Sequence, residues 1–220
     1  MQKIPLLTAT NALILICVLA YAAIEGLFNN TQLGFELYYF ENSKFQLHQL
    51  ITHMFLHGSP THLFFNMFGL WMFGNTLEKF WGVRKFIIFY ILCGLGAATF
   101  YMTVNYINLN ISSVSIIESQ SIIYGSVVGA SGALYGVLVA FAFMFPNNKI
   151  MLIFLPVPIA AKFFVPALLA LDIFSEFTGF SIFGQNIAHA AHVGGAVTAA
   201  ILMFVWIKRK PKKTTPTMWK

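Results

Sequence analysis

Charged residues are scarce in this sequence: lysine, arginine, aspartate and glutamate together make up 9% of its 220 residues. Hydrophobic residues make up 58%, and the mean hydropathy is +0.75. This composition excludes an ordinary soluble domain, in which about 25% of residues are charged. We expect an all-α polytopic membrane protein with a single domain over residues 1–207, a functional core over about residues 45–200, and a basic cytoplasmic tail over residues 208–220.

Cysteine is also scarce, with two residues in the whole chain. Cys17 and Cys93 both fall within apolar runs, so we expect two free thiols and no disulfide. The first apolar run follows a single lysine, Lys3, and has no small-residue cleavage site after it. That pattern predicts a retained first span and not a removed signal peptide.

The positive charge is concentrated at the end of the chain. The formal net charge of +6 comes largely from Lys208, Arg209, Lys210, Lys212, Lys213 and Lys220. A basic tail can bind nucleic acid, but one that directly follows an apolar run more simply fixes orientation at an anionic membrane face. We therefore expect the lipid bilayer, and no nucleic acid, as a partner.

Six apolar runs are long enough to cross a bilayer, which takes about 20 helical residues. We predict six transmembrane helices at about residues 9–28, 62–78, 85–106, 127–146, 161–177 and 187–207. The long amphipathic stretch at 29–61 is expected to be a large interfacial loop with short helices between the first two spans. No internal repeat is found.

Three shorter segments are predicted to lie outside the spans. The polar segment at 107–121 is expected to be a loop, and residues 178–185 form another. Residues 150–160 are apolar but interrupted by Pro156 and Pro158, so we expect them to run along the inner surface.

Basic residues predict the orientation of the six spans. All of the 13 lysines and arginines except Lys44 fall on the same face, together with both termini. Lysine and arginine are enriched on the cytoplasmic side, so both termini are predicted to be cytoplasmic. The opposite face carries the acidic residues Glu36, Glu41, Glu118, Asp172 and Glu176. We expect a multi-pass protein of the cell (inner) membrane.

Polar residues stand at the start of three predicted spans that all run from the outer face inward. His62 and Asn66 begin the second span, Ser131 the fourth, and His189 and His192 the sixth. Ionisable groups within the hydrocarbon layer are costly and mark functional sites. We predict that these side chains meet at a similar shallow depth, in a site that opens to the extracytoplasmic side.

Ser131 is the candidate nucleophile. It lies among small residues in Gly129-Ala130-Ser131-Gly132, a pattern that by itself indicates a helix-packing seam. The helix from Ser131 to Phe145 would be about 22 Å long, shorter than a hydrocarbon core of about 30 Å. A helix that begins near Ser131 therefore places the hydroxyl below the outer surface, after irregular backbone at residues 126–130.

Several groups could stabilise an oxyanion beside Ser131. Backbone N–H groups at the helix start, at Ser131 and at the flanking Gly129 and Gly132, carry partial positive charge. His62 and Asn66 are four residues apart, share a helix face and can both donate hydrogen bonds. Contacts with neighbouring helices are the alternative role for this pair.

His192 is the candidate base, because the following Gly195 lets the sixth span pack closely on the fourth. His189, one turn earlier, is the competitor and is expected at the water interface. The outer acids fall in loops or at helix ends, so we expect no third member and predict a Ser–His dyad. Tyr135, one turn after Ser131, is expected to stack on the imidazole.

Three motifs resemble the signatures of rhomboid intramembrane serine proteases, in the order and on the spans of that family. They are His62-Leu-Phe-Phe-Asn66, Gly129-Ala-Ser131-Gly132 and Ala191-His192-Val-Gly-Gly195. Residues 52–57 are also similar to the family's first loop, and Glu78 to its acid at the inner end of the second span. The resemblance covers about residues 45–200.

The resemblance implies Ser131 as nucleophile and His192 as general base, with Asn66, His62 and the Ser131 backbone at the oxyanion. It implies substrates that are single-span membrane proteins cut near the outer edge of their membrane segment, and no cofactor or metal. The loop at 178–185 would then cover the site. The oligomeric state is left open.

Two positions depart from the family pattern. His48-Gln49 stands where many members have Trp-Arg in the first loop, and Ala199 stands where many have a second glycine in the sixth span. Neither departure touches the catalytic set, but the first leaves the ordering of the loop open.

Three other functions fit parts of the sequence. A membrane metalloenzyme could use His53 and His57, four residues apart, together with His62, His189 and His192. No histidine pair, no HExxH motif and no nearby carboxylate completes such a site. A non-catalytic, client-binding relative would be expected to lose the serine or the histidine. A transporter would need inverted repeats or charges at mid-membrane depth, which are not found.

Overall fold

The structure is a computed structural model that describes residues 8–27, 33–112, 114–152, 155–178 and 188–208. Its helices are α1 Ala9–Gly26, α2 Gln49–Thr52, α3 Pro60–Gly69, α4 Asn75–Trp81, α5 Val83–Asn110, α6 Ile116–Tyr124, α7 Ser131–Met144, α8 Ala161–Thr178 and α9 His189–Lys208. A 3₁₀ turn, His53–Phe55, follows α2. A π-helical stretch, Leu70–Gly74, joins α3 to α4. The predicted basic tail and the predicted loop at 178–185 lie outside the described residues, apart from Lys208 and Thr178 at their edges.

The helices agree with a membrane protein. Within the described residues α1, α5 and α9 are long and apolar enough to cross a bilayer, and α7 is a shorter apolar helix. Large apolar side chains also cover much of the outer surface, among them Leu19, Phe64, Trp71, Phe80, Phe174, Ile201 and Phe204. An exposed apolar surface of this kind is what lipid contact requires.

The prediction that residues 107–121 form a loop is wrong at both ends, because residues 107–110 and 116–121 are helical. Helix α5 continues to Asn110, and α6 begins at Ile116 after the N-cap residue Ser115. The Glu118 amide donates to the Ser115 hydroxyl, and the Glu118 carboxylate accepts from the Ser115 amide. This capping box is readable in the sequence as serine followed three residues later by glutamate, before an apolar run.

The fold is mostly helical, but the prediction of an all-α protein is incomplete. Strand β1, Leu37–Tyr38, pairs antiparallel with β2, Ser126–Val127. Strand β3, Lys149–Leu152, pairs antiparallel with β4, Leu155–Ala160. The segment expected to run along the inner surface is therefore a strand pair, which tolerates prolines because each strand has an unpaired edge.

Helix α7 lies at the centre of the packing. Every residue from Gly132 to Phe141 is buried, on all sides of the helix. A helix that is apolar all round is stable only when other helices surround it. Here α5 and α9 form its largest contacts, so the first residue of α7, Ser131, is held against both of them.

His48 and Gln49 order the first loop in place of the Trp-Arg pair. The Gln49 side chain is fully buried and donates to the carbonyl oxygens of Gly34 at 3.0 Å and Lys44 at 2.8 Å. The His48 Nε2 contacts the same Gly34 oxygen at 3.0 Å. Side chains that hydrogen-bond to backbone groups in this way fix a loop without regular secondary structure.

Glu78 joins α4 to the start of α1. Its Oε1 accepts from the Ala9 amide at 2.8 Å, and its Oε2 accepts from the Thr10 amide at 2.8 Å and the Thr10 hydroxyl at 2.7 Å. The carboxylate is buried, so these three donors replace the water that it loses. The negative charge also lies at the positive N-terminal end of α1.

Replacement of Glu78 by alanine is expected to lower the free energy of unfolding by about 2–4 kcal/mol, because buried donors at the start of α1 lose their acceptor. Thr10→Val removes only the hydroxyl donor and is expected to cost about 1 kcal/mol. Both can be measured by SDS titration followed by tryptophan fluorescence. Equal effects of the two variants would contradict this role of Glu78.

Candidate active site

The start of α7 carries Ser131 on an uncapped helix end. Gly129 has a φ of +133°, a left-handed conformation that favours glycine, and its amide donates to the His53 carbonyl at 2.9 Å. Among the residues that the structure describes, no side chain caps the first turn after Ala130. The first amides of a helix lack partners within it, so those at Ser131 and Gly132 present N–H groups and positive dipole at this end.

Ser131 and His192 are hydrogen-bonded. The structure places Ser131 Oγ 2.8 Å from His192 Nε2, although the two residues are 61 positions apart in the chain. Ser131 begins α7, and His192 lies in the first turn of α9. A hydroxyl within reach of an imidazole nitrogen is the arrangement from which a serine nucleophile is activated.

Glycines set the close approach of α7 and α9. A Cβ atom on Gly195 would overlap the carbonyl oxygen of Gly132. A Cβ atom on Gly132 would lie 2.5 Å from the Cβ of Ala97 on α5 and 3.3 Å from the carbonyl oxygen of Ala191. Gly132 therefore serves helix packing directly. Ala199, which replaces the second glycine of the family pattern, is fully buried in the main core.

Tyr135 stacks on the imidazole of His192. The ring centroids are 4.2 Å apart and the planes are inclined by 10°. This contact holds one face of the His192 ring while its edge points to Ser131, so the ring plane is fixed by packing as well as by hydrogen bonding.

A carboxylate also lies beside the imidazole, contrary to the expected dyad without a third group. Asp172, on α8, is 2% exposed, and its Oδ1 lies 3.0 Å from His192 Nδ1. The same oxygen lies 2.5 Å from His189 Nδ1. His189 is 6% exposed, so its expected place at the water interface is also wrong. Both residues are buried because α8 packs against the first turn of α9.

Asn66 contributes a buried amide without a hydrogen-bond partner. Its side chain is 4% exposed, and among the described residues nothing accepts from Nδ2. The adjacent Met67 packs with Ala130, the residue before Ser131. A buried donor left unpaired costs free energy, so one at a cleft is typical of a group that pairs with a ligand.

His62 approaches the same end of α7 from α3. A Cβ on Gly129 would lie 2.8 Å from both Cε1 and Nε2 of the His62 ring, so only glycine leaves room for that ring. His57 makes an edge contact with His62, with centroids 5.1 Å apart. His62, Gly129 and Ser131 therefore lie beside one another. The Gly129 amide already donates to the His53 carbonyl, so it is not free for an oxyanion, contrary to the expectation from the sequence.

His53 and His57 belong to the loop that supports the site. Burial lowers the pKa of each to about 4, so both are neutral at physiological pH, and the nearby His62 adds to the lowering at His57. The His53 Nδ1 contacts the Gln49 carbonyl at 2.8 Å. A neutral ring donates this hydrogen bond and positions the His53 carbonyl that accepts from Gly129.

The five histidines weighed as a metal site do not converge. Among the described residues, only Asp172, His189 and His192 bring potential metal-ligating atoms within 4.8 Å of one another. His53, His57 and His62 are not part of this group. Nδ1 of each clustered histidine bonds to the carboxylate, and the remaining nitrogen of His192 bonds to Ser131.

The fold and the site define a helical membrane protein whose polar residues meet at the start of a buried central helix. The Rhomboid domain model matches residues 44–209 of this sequence. The chain therefore belongs to the rhomboid family.

Proteins similar to this chain include two that are named as mitochondrial and one from a bacterium. Rhomboid protein 1, mitochondrial, of Saccharomyces cerevisiae is 31% identical over 152 residues, which is 69% of this chain and 40% of the yeast protein. Presenilin-associated rhomboid-like protein, mitochondrial, of Mus musculus is 29% identical over 175 residues, or 77% and 42% of the two chains. Rhomboid protease AarA of Providencia stuartii is 30% identical over 165 residues, or 70% and 54%. The match thus covers between 40% and 54% of the length of these relatives.

Gly195→Ala is expected to lower the free energy of unfolding by about 2 kcal/mol, because the added methyl group pushes α9 away from the Gly132 carbonyl. Gly26→Ala is the matched control, since no atom of the described part of the chain lies within 4 Å of its added Cβ. We expect the control to be neutral or slightly stabilising. Thermal unfolding in detergent measures both, and a neutral Gly195→Ala would show that the helices are not held this closely.

Proposed function

We propose that this chain is an intramembrane serine endopeptidase that cleaves transmembrane segments of other membrane proteins. The observation that carries the proposal is the hydrogen bond between Ser131 Oγ and His192 Nε2. Membership of the rhomboid family supports it, and one relative is named a rhomboid protease. Packing of α9 against α7 holds the two side chains together and gives the preorganised geometry that nucleophilic catalysis needs.

The proposed first step is attack by Ser131 on the scissile carbonyl carbon. The Ser131 hydroxyl proton passes to His192 Nε2, which already lies within hydrogen-bond distance. The new C–O bond gives a tetrahedral intermediate whose oxygen carries the negative charge. Tyr135 keeps the imidazole plane in place during the transfer.

The oxyanion would be stabilised by donors around the start of α7. The amides of Ser131 and Gly132 are at the uncapped helix end, and Asn66 Nδ2 is a buried donor that no described residue satisfies. A donor that gains a full partner only when the oxyanion forms stabilises the transition state more than the ground state. His62, beside Gly129, is the further donor.

Collapse of the intermediate completes the proposed reaction. His192 returns the proton to the leaving amide nitrogen as the C–N bond breaks, which leaves an acyl group on Ser131. Water activated by the same imidazole then hydrolyses the ester and regenerates the hydroxyl. The reaction as proposed uses neither metal nor cofactor.

The proposed arrangement in the membrane rests on the distribution of basic residues and on the lengths of the helices. We infer six spans, with α3 to α4 as the second and α8 as the fifth, and cytoplasmic termini in the cell (inner) membrane. Helix α7 has 14 residues, so it is about 21 Å long and does not fill a hydrocarbon core of about 30 Å. Ser131 would then lie below the outer surface, open to the extracytoplasmic side, where a substrate helix can unwind into the site.

Ser131→Ala and His192→Ala are each expected to abolish cleavage of a co-expressed single-span substrate, because each removes one partner of the proton transfer. Immunoblotting of the cleavage product and Ser131-dependent labelling by a fluorophosphonate measure the loss. The matched control is Ser175→Ala, a buried serine of α8 whose hydroxyl donates to the Leu171 carbonyl of the same helix. Cleavage that persists in Ser131→Ala overturns the proposal, whereas absence of both cleavage and labelling in the wild type favours a client-binding protein.

Asn66→Ala is expected to reduce kcat by about 10²–10³-fold with little change in KM, as found when one oxyanion donor is removed from a serine protease. Asn75→Ala is the control, since that amide donates to the Trp71 carbonyl at the other end of the helical segment. Kinetics with a fluorogenic transmembrane peptide in proteoliposomes separate the two constants. An unchanged kcat would assign Asn66 to packing alone.

A further inference from the structure

The carboxylate of Asp172 has no role in the reaction as proposed above. It lies in the middle of α8, buried, and its Oδ1 faces the Nδ1 atoms of His192 at 3.0 Å and His189 at 2.5 Å. Nothing in the composition or motifs pointed to it. Its contact is with the imidazole edge opposite Ser131, so the chain of contacts runs from the serine hydroxyl through the imidazole to the carboxylate.

The two contacts of His192 together determine its tautomer. An ionised carboxylate can only accept hydrogen bonds, so the ring nitrogen that faces Asp172 must carry a hydrogen. In a neutral imidazole the other nitrogen, Nε2, is then the acceptor. This is the nitrogen that must accept the proton of Ser131, and the carboxylate thereby fixes the productive form of the base.

We propose that Asp172 is a positioning residue for the proposed hydrolysis, which holds His192 in the Nδ1–H tautomer and stabilises the imidazolium formed after proton transfer. This inference rests on the proposed function. The proton of Ser131 moves to His192 Nε2 and later to the leaving nitrogen, while the Nδ1 hydrogen and the charge of Asp172 stay where they are. His189 anchors the carboxylate through the same oxygen.

The competing explanation is that Asp172 only fastens α8 to α9. A second carboxylate on α8 provides a matched control that separates the two explanations. Glu176, one turn further along α8, also carries a carboxylate that accepts from α9, at the Ala190 amide at 3.0 Å. Its contact is with backbone and not with an imidazole. A purely structural role predicts similar effects at the two positions, whereas the positioning role predicts an effect on catalysis at Asp172 alone.

The experiment compares Asp172→Asn, Asp172→Ala and Glu176→Gln in the full chain, reconstituted in proteoliposomes with a single-span substrate. Asparagine keeps the size of the side chain but can donate to the imidazole and select the wrong tautomer. We expect kcat to fall by about 10²–10⁴-fold in both Asp172 variants, with KM changed less than about threefold. Glu176→Gln keeps an acceptor for Ala190 and is expected to stay within about twofold of the wild-type kcat.

A spectroscopic measurement tests the same point without turnover. In protein labelled with nitrogen-15 histidine, His192 is expected to be protonated at Nδ1, with a strongly downfield N–H resonance that Glu176→Gln keeps and Asp172→Asn loses. His189→Ala identifies which downfield resonance belongs to His192. Because the wild-type spectrum reports the tautomer directly, this test holds even where an Asp172 variant fails to fold.

The outcomes separate this inference from the proposed function. The proposed role of Asp172 is overturned if Asp172→Asn keeps the wild-type kcat, or if His192 of the wild type is protonated at Nε2. The protease assignment still stands in either case, provided that Ser131→Ala is inactive. Equal losses of kcat in Asp172→Asn and Glu176→Gln overturn it in favour of helix fastening. Cleavage by Ser131→Ala overturns both proposals.

Discussion

The close approach of α7 and α9 is the constraint on which the rest of the structure depends. The Gly132 carbonyl faces Gly195 so closely that no side chain fits between them. Ser131 precedes the first of these glycines by one residue, and His192 precedes the second by three. The hydrogen bond of 2.8 Å between serine and histidine therefore follows from a backbone contact directly next to Ser131 and about one turn after His192, where the two helices fix their register.

The first loop fixes the segment of chain that precedes Ser131. The short pairing of β1 with β2 and the bond from the Gly129 amide to the His53 carbonyl hold the chain that enters α7. The conformation of Gly129, with φ at +133°, then turns the backbone so that α7 begins at Ser131. Helix packing thus sets the depth of the serine, and the loop sets the position of its N–H groups.

Groups that lie within short motifs can be predicted from the sequence, whereas contacts that depend on how a helix is rotated about its axis cannot. The glycines around Ser131 and after His192 mark close packing, so their meeting was predictable from the pattern. Asp172 was assigned to an outer helix end, because nothing in the sequence around it reports that α8 turns this side chain toward α9. The pairing of Leu37 with Val127 was equally out of reach, since two-residue strands carry no period. The capping box at Ser115, by contrast, can be predicted from the sequence, because a serine is followed three residues later by Glu118.

Two buried carboxylates, Glu78 and Asp172, both accept hydrogen bonds from neighbouring helices but differ in the kind of donor. Glu78 and Asp172 each replace lost water with hydrogen-bond donors, as a buried charge must. The donors at Glu78 are two backbone amides and a hydroxyl, none of which ionises under physiological conditions, so the effect of Glu78 ends with the attachment of α1. The donors at Asp172 include two imidazoles beside the Tyr135 hydroxyl, and a neutral imidazole that donates from one nitrogen accepts at the other. A charge on one edge of His192 therefore acts on the proton at its opposite edge, which is how a structural contact on α8 can influence chemistry at Ser131.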